Sequence, residues 1–85
     1  MITCLITSPD KTTVYEKVAS VTLPASWGQM QILPGHSEAF VLLTEGNVVI
    51  RQIDKNKEGE ADKDNVTRVK GGECYVKDNK VTIIL

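Results

Sequence analysis

The sequence predicts an all-β fold, either a flattened barrel or a sandwich of two antiparallel sheets, with about eight to ten short strands. Three observations support this prediction. Apolar and polar residues alternate over short runs, as in residues 18–23, where Ala19, Val21 and Leu23 share one face. Gly, Pro, Asn and Asp separate these runs at short intervals. A sustained helical period occurs nowhere in the 85 residues.

The strands are placed on the alternating apolar runs. The clearest hairpin signal is Asp78-Asn79, because both residue types tolerate the positive φ of a tight turn. So many short strands must close on themselves to hide their edges, so we predict one domain spanning residues 1–85. The predicted strands are residues 2–7, 13–16, 18–23, 29–33, 39–43, 47–53, 66–70, 73–77 and a last strand from residue 80 to the end.

Residues 54–65, DKNKEGEADKDN, interrupt this pattern with five acidic and three basic side chains. Such a segment cannot contribute to a core, and we predict an exposed, charged hairpin loop. Asp54, Asn56 and Glu58 match the first, third and fifth positions of a calcium-binding loop, but the twelfth position is Asn65 rather than a bidentate glutamate. A calcium-binding module is therefore only an alternative function.

Composition excludes several classes of protein. Ten basic and eleven acidic residues give a net charge of −1, which produces no field to attract nucleic acid. No apolar stretch approaches the roughly 20 residues of a membrane span, and no secretory signal is recognisable. Cys4 and Cys74 form no C-x-x-C unit, and we predict free, buried thiols. A cytosolic or membrane-peripheral protein without membrane insertion is expected.

The only histidine, His36, lacks the converging titratable groups that catalysis or metal binding requires. We expect it to pair with Glu38, two residues away, and predict no catalytic residue, no metal site and no cofactor. Residues 70–75, KGGECY, contain a turn between strands rather than a phosphate-binding loop. Trp27 falls at a predicted loop tip, where it either covers the core or anchors a partner, and both alternatives remain open.

Two segments, residues 18–52 and 69–85, together resemble the N-terminal β-sandwich domain of the epsilon subunit of F-type ATP synthases. The spacing from a Pro-Gly-His turn to a Gly-Gly pair and a closing Val-Thr-Ile strand makes the resemblance specific. The matching residues are Gly28, Ile32, Pro34, Gly35, His36, Gly71, Gly72, Val81, Thr82 and Ile83.

The resemblance implies a non-catalytic rotor subunit in the central stalk of a proton- or sodium-driven ATP synthase. Such a subunit docks on the gamma subunit and on the c-ring, at the cytoplasmic face of a bacterial inner membrane or the equivalent face in an organelle. Motif positions imply gamma contacts at Ser8, His36 and Val41. They imply c-ring contacts at Ser26, Trp27, Gly28 and Gln29.

The chain departs from the family pattern at several positions. Gln29 replaces the usual acidic residue, Gln31 the usual second glycine and Lys70 the usual serine. Most members continue beyond the last strand into two helices that bind ATP in some cases, so no ATP binding is expected of this sequence. A lipoyl-type carrier, with Lys11 or Lys55 as the modified lysine, is a further alternative, although neither lysine is expected in a tight hairpin between matched strands.

Overall fold

The computed structural model describes residues 1–53 and 62–85, and they form eight strands, which confirms the all-β prediction. In this part of the chain no helix is long and apolar enough to cross a membrane. The strands are β1 (Ile2–Thr7), β2 (Thr12–Ala25), β3 (Gly28–Ile32), β4 (Ala39–Leu43), β5 (Gly46–Ile53), β6 (Asp62–Val69), β7 (Gly72–Lys77) and β8 (Lys80–Ile84).

Strand pairing closes the sheet around one core. The strand order is β1-β8-β7-β4-β2-β5-β6, with β3 paired to β2 and an additional pairing between β1 and β2. The first half of β2 pairs with β1, and its second half pairs with β3 and β5, so this long strand belongs to two layers. The first layer contains β4, β7, β8, β1 and the start of β2. The second contains β3, the end of β2, β5 and β6.

One pairing differs from the antiparallel expectation. Strands β1 and β8 run parallel, with Thr3 opposite Lys80 and Thr7 opposite Ile84. A parallel pair needs a long connection between its strands, and here almost the whole chain lies between them. The two ends of the domain are therefore held side by side in the middle of the first layer.

The predicted strands at residues 13–16 and 18–23 are one continuous strand, β2. At the predicted break the chain instead continues through Lys17, whose φ is 55°. The register of the β2–β5 pairing shifts between Val18 and Ser20. A bulge of this kind bends a strand without ending it. The bend lets β2 serve both layers and keeps Val18 buried.

Strand β6 begins at Asp62, so the predicted loop of residues 54–65 is corrected at its C-terminal end. Polar residues extend the strand because they pair across to β5. Arg51 Nε donates to Asp64 Oδ1 at 3.0 Å, and Asn65 Nδ2 donates to Gln52 Oε1 at 2.8 Å. The other residues of this loop, including the calcium-like positions, lie outside the described residues.

The core consists of alternate side chains from both layers. Its largest fully buried members include Leu23, Ile32, Ile50 and Ile83. Cys4 and Cys74 are free and buried, as predicted. Burial raises the pKa of both thiols to about 12, and for Cys4 the neighbouring Cys74 thiol contributes to the rise.

Candidate docking surfaces

The outward side of the first layer carries a row of large side chains across five strand segments. Phe40 of β4 lies opposite Tyr75 of β7, and Tyr75 lies opposite Thr82 of β8. Thr82 is opposite Leu5 of β1, which in turn is opposite Val14 of β2. The exposed fractions of Phe40, Tyr75 and Val14 are 53%, 44% and 55%. The register thus aligns mainly apolar groups on the solvent side of the sheet.

A second row lies beside the first. It runs from Leu42 through Glu73 and Ile84 to Thr7 and Thr12. We call these two rows together the outer face. Half of the ten large hydrophobic side chains exposed in the described residues lie on it: Val14, Phe40, Leu42, Tyr75 and Ile84. Clustering of this kind marks interaction surfaces, whereas isolated exposed apolar residues do not.

The structure places Ser8 and His36 at opposite ends of the outer face. Ser8 follows Thr7 in the β1–β2 turn, where its backbone N–H donates to Lys11 O at 2.9 Å. It lines a cavity of about 200 Å³ with Lys11 and Tyr15. His36 lies beside the β7–β8 turn, in a groove of about 300 Å³. Both side chains are half-buried.

The Pro-Gly-His turn is fixed by hydrogen bonds rather than by an ion pair. The Gly35 N–H donates to Asn79 Oδ1 at 2.7 Å, and the His36 N–H donates to Leu33 O at 3.1 Å. His36 Nδ1 lies 2.7 Å from Ser37 O. The expected His36 partner, Glu38, instead pairs with Lys77 at 3.7 Å. The histidine ring therefore contacts the Ser37 carbonyl oxygen, while the Glu38 carboxylate contacts Lys77.

Val41 occupies a different place from the one its motif position implies. Its side chain is only 2% exposed and packs in the core. Alternation along β4 explains this, because residues 39, 41 and 43 point inward while Phe40 and Leu42 point outward. Phe40 and Leu42 are not among the contact residues that the motif implies, although the run AFVLL is apolar at every position and so signals two apolar faces.

Ser26 and Trp27 form the two-residue turn between β2 and β3, and Gly28 and Gln29 begin β3. We call these four residues the hairpin tip, and all four are exposed. Trp27 is 67% exposed, so it does not cover the core. Gly28 has φ 121°, a conformation that favours glycine. Gln31, the residue that replaces the family's usual second glycine, follows in regular register opposite Thr22.

The hairpin tip adjoins the end of β4 and therefore the edge of the outer face. Ala25 is bridged to Leu43, and the Thr44 N–H donates to Pro24 O at 2.8 Å. The Thr44 hydroxyl donates to the same carbonyl at 3.2 Å. Two candidate contact surfaces thus meet at a hydrogen-bonded junction.

In residues 1–53 and 62–85, no group of three His, Cys, Asp or Glu side chains could hold a metal ion. Lys11 does lie in a four-residue turn between the paired residues Thr7 and Thr12, which corrects the expectation that it would be outside a tight hairpin. The turn at Lys11 therefore does not argue against a lipoyl-type carrier, and family membership is the evidence that disfavours it.

Comparisons with known proteins identify the family. The family described as "ATP synthase, Delta/Epsilon chain, beta-sandwich domain" matches residues 1–85. The ATP synthase epsilon chain of Nostoc punctiforme is 34% identical over 84 residues, covering 99% of this chain and 57% of that protein. The epsilon chain of Lawsonia intracellularis is 34% identical over 79 residues, covering 93% of this chain and 53% of that protein.

Solved structures show the same fold. A chain of the Euglena gracilis mitochondrial ATP synthase, OSCP/F1/c-ring in rotational state 1, matches with TM-score 0.80 and 26% identity, over 98% of this chain and 49% of that chain. A chain of the Tetrahymena thermophila mitochondrial ATP synthase central stalk/c-ring matches with TM-score 0.74 and 19% identity, over 98% of this chain and 61% of that chain. The protein spans a little over half the length of the curated relatives named above. Full coverage by the family and identities above 30% show that the chain belongs to the delta/epsilon chain family of ATP synthases, whose β-sandwich domain it contains.

Proposed function

We propose that this chain is the β-sandwich part of a non-catalytic central-stalk subunit of a proton- or sodium-driven ATP synthase. In this role it joins a gamma subunit to the c-ring, so that rotation of the ring reaches the catalytic subunits. It works as a peripheral component on the face of the membrane that carries those subunits, the cytoplasmic face in a bacterium. Together with family membership, the outer face is the observation that carries the proposal.

The outer face suits a gamma subunit because of where the expected contacts lie. Ser8 and His36 lie near its opposite ends, so a partner that covers the apolar rows is placed to reach both residues. The Val41 side chain is buried in the core, so its exposed neighbours Phe40 and Leu42 make the gamma contact instead. Covering these side chains removes apolar surface from water at roughly 25 cal/mol per Å². The gain is available only when a partner is present.

The hairpin tip suits the c-ring contact. It projects beyond the sheet as a two-residue turn and presents Trp27 to solvent. Its junction with β4, through Leu43 and Thr44, connects this contact to the outer face by backbone pairing. Closed hydrogen-bonded sheets resist deformation, so force applied at the tip reaches the gamma-facing side with little local motion.

The proposal is tested by co-expressing the chain with the gamma subunit encoded in the same genome and measuring their affinity. Val14 and Val66 supply a matched pair of exposed valines, 55% and 60% exposed, on the first and second layers. We expect Val14→Glu to weaken gamma binding about tenfold or more, since it places a charge in an apolar contact. Val66→Glu is expected to leave it unchanged. Equal effects of the two substitutions, or no complex with the unmodified chain, would contradict the proposal.

A further inference from the structure

The connection between β3 and β4, residues 33–38, contains the Pro-Gly-His turn and has little packing to hold it in place. It adopts no regular secondary structure. Its one large hydrophobic side chain, Leu33, is 50% exposed, and its other residues are exposed except for the half-buried His36. A segment with so few buried contacts is ordered mainly by its hydrogen bonds. The partners of those bonds therefore decide how well the turn keeps its shape.

One hydrogen bond anchors the tip of this connection to a distant part of the chain. The Gly35 N–H donates to Asn79 Oδ1 at 2.7 Å, across a separation of 44 residues. Two further bonds, made by the backbone and the ring of His36, end within the connection itself. The Glu38–Lys77 ion pair spans 3.7 Å between two exposed side chains, and exposed pairs of this kind contribute little. The anchor of the turn is therefore the Asn79 side chain.

Asn79 is itself held in place by a second element. Its φ is 59°, a left-handed conformation that asparagine tolerates better than most residues do. Its carbonyl oxygen accepts a hydrogen bond from the Thr3 N–H at the start of β1, at 2.9 Å. The backbone of Asn79 is thus tied to β1 while its side chain binds the Pro-Gly-His turn. The backbone tie does not depend on the side chain, so a substitution at this position removes only the link to the turn.

We propose that Asn79 is a positioning residue for gamma docking, which acts through Gly35 to hold the Pro-Gly-His turn in the arrangement that the gamma subunit binds. This inference rests on the proposed function and assigns a role to a residue outside the docking motif. A turn that is already in its binding conformation loses less freedom on docking. When the side chain of Asn79 is removed, the turn samples other conformations, and the apparent dissociation constant rises as the competent fraction falls.

Direct contact with the partner is the competing explanation, because Asn79 is exposed and lines the same groove as His36. The two explanations differ in what the free chain shows. A positioning residue affects the Gly35 N–H before any partner is added, whereas a contact residue acts only in the complex. They also differ at the Asn79 amide nitrogen, which the bond to Gly35 does not use.

The first measurement is amide hydrogen exchange of Gly35 in the free chain. Asn79→Gly keeps the left-handed turn but removes the acceptor, so we expect exchange to be about tenfold faster or more. Asn79→Asp keeps an acceptor oxygen and loses the amide nitrogen, and we expect it to retain the protection of Gly35. Asp78→Gly is the matched control, since Asp78 has φ 51° in the same turn and lines the same groove. Its side chain makes no hydrogen bond within residues 1–53 and 62–85.

Affinity for the gamma subunit completes the test, after urea unfolding has shown that each variant is folded. We expect Asn79→Gly to weaken binding about tenfold, and Asn79→Asp and Asp78→Gly to weaken it less than about threefold. Unchanged exchange of Gly35 in Asn79→Gly would overturn the inference, and so would faster exchange with unchanged gamma binding. Weak binding by Asn79→Asp with Gly35 still protected would identify a direct contact instead. Failure of the unmodified chain to bind gamma would count against the proposed function, while the exchange of Gly35 would still report on the hydrogen bond.

Discussion

Phe40 and Tyr75 face each other across β4 and β7 with their ring centroids 4.9 Å apart and their planes tilted by 43°, yet about half of each side chain remains exposed. A buried aromatic pair would be part of the core. This pair instead lies on the outer side of the sheet, where cross-strand contacts contribute only about 0.2–1 kcal/mol to stability. Its position on the outer face therefore points to binding rather than folding.

Replacing Phe40 with alanine is accordingly expected to separate binding from stability. We predict a loss of about 1 kcal/mol or less in the free energy of unfolding, together with a loss of at least tenfold in affinity for the gamma subunit. Leu23→Ala is the control, because Leu23 is fully buried and its truncation is expected to cost about 2–5 kcal/mol. Urea unfolding and gamma binding of both variants would check this. A Phe40→Ala protein as unstable as Leu23→Ala would show that the pair belongs to the fold.

Among the glycines in residues 1–53 and 62–85, Gly72 is the one where a side chain is expected to be least tolerated. Its φ is 140°, and an added Cβ would lie 2.6 Å from the carbonyl oxygen of Ile84 on the neighbouring strand β8. We predict that Gly72→Ala destabilises the domain by about 2 kcal/mol or more, because backbone strain and a clash with backbone act together.

Gly35 provides the matched comparison for Gly72. Its φ is 83°, and an added Cβ would meet nothing within 4 Å. Gly35→Ala is therefore expected to cost only the conformational strain, about 1 kcal/mol. Urea unfolding midpoints of the two variants would measure the difference. If Gly35→Ala proved the more damaging substitution, close packing at Gly72 would not be the explanation.

Sequence patterns predicted the fold class because alternation and turn residues act locally. The β7–β8 turn was found because Asp78 and Asn79 both adopt positive φ, as their residue types allow. The bulge at Lys17 was missed, since lysine gives no signal for a left-handed conformation and the curvature of β2 decides it. The parallel pairing of β1 with β8 was also missed, because it depends on how the closed sheet brings the chain ends together.

The candidate surfaces were predictable only in part. The hairpin tip followed from Trp27 and Gly28 at a turn, whereas the outer face did not follow from any single motif. It arises from register, which aligns Phe40, Tyr75 and Val14 across strands that are distant in sequence. The family motif places a gamma contact at Val41, but the Val41 side chain is buried in the core. Neighbouring residues on a strand point to opposite faces, so an error of one position exchanges the buried face for the exposed one.

Asp64 is expected to titrate below the ordinary range of aspartate. The hydrogen bond from Arg51 lowers the pKa of its carboxyl group, and the Arg51 charge acts in the same direction, while burial opposes them. Because the folded-state pKa is lowered, the contribution of this pair to stability is present above the unfolded pKa and is lost as pH falls through the folded pKa. NMR titration of the Asp64 carboxyl carbon should show a rise in its pKa in Arg51→Gln. An unchanged titration would mean that another group sets the value.

Ionisation of Cys4 and Cys74 is expected to lower the stability of the domain at alkaline pH. Burial raises the pKa of each folded-state thiol from 9.0 to about 12, with Cys74 adding to the rise at Cys4. Below pH 9.0 both thiols hold their protons whether the chain is folded or unfolded, so they cause no pH dependence. Between pH 9.0 and about 12 the unfolded chain loses these protons first, and the stabilisation that they provide declines.

Comparison with a Cys4→Ala, Cys74→Ala variant isolates this effect from the titration of other groups. The variant is expected to be less stable at neutral pH, because it leaves cavities, but to lose stability less steeply above pH 9.0. Reaction of the native thiols with a maleimide at pH 7 should be slower than in 6 M guanidinium chloride by about a thousandfold or more, since labelling requires opening of a core in which both side chains are 0% exposed. Two outcomes would contradict this prediction: the same pH dependence of stability in the two proteins, or fast labelling of the folded chain. Either would show that the thiols are accessible to water and that the two layers separate more readily than their packing indicates.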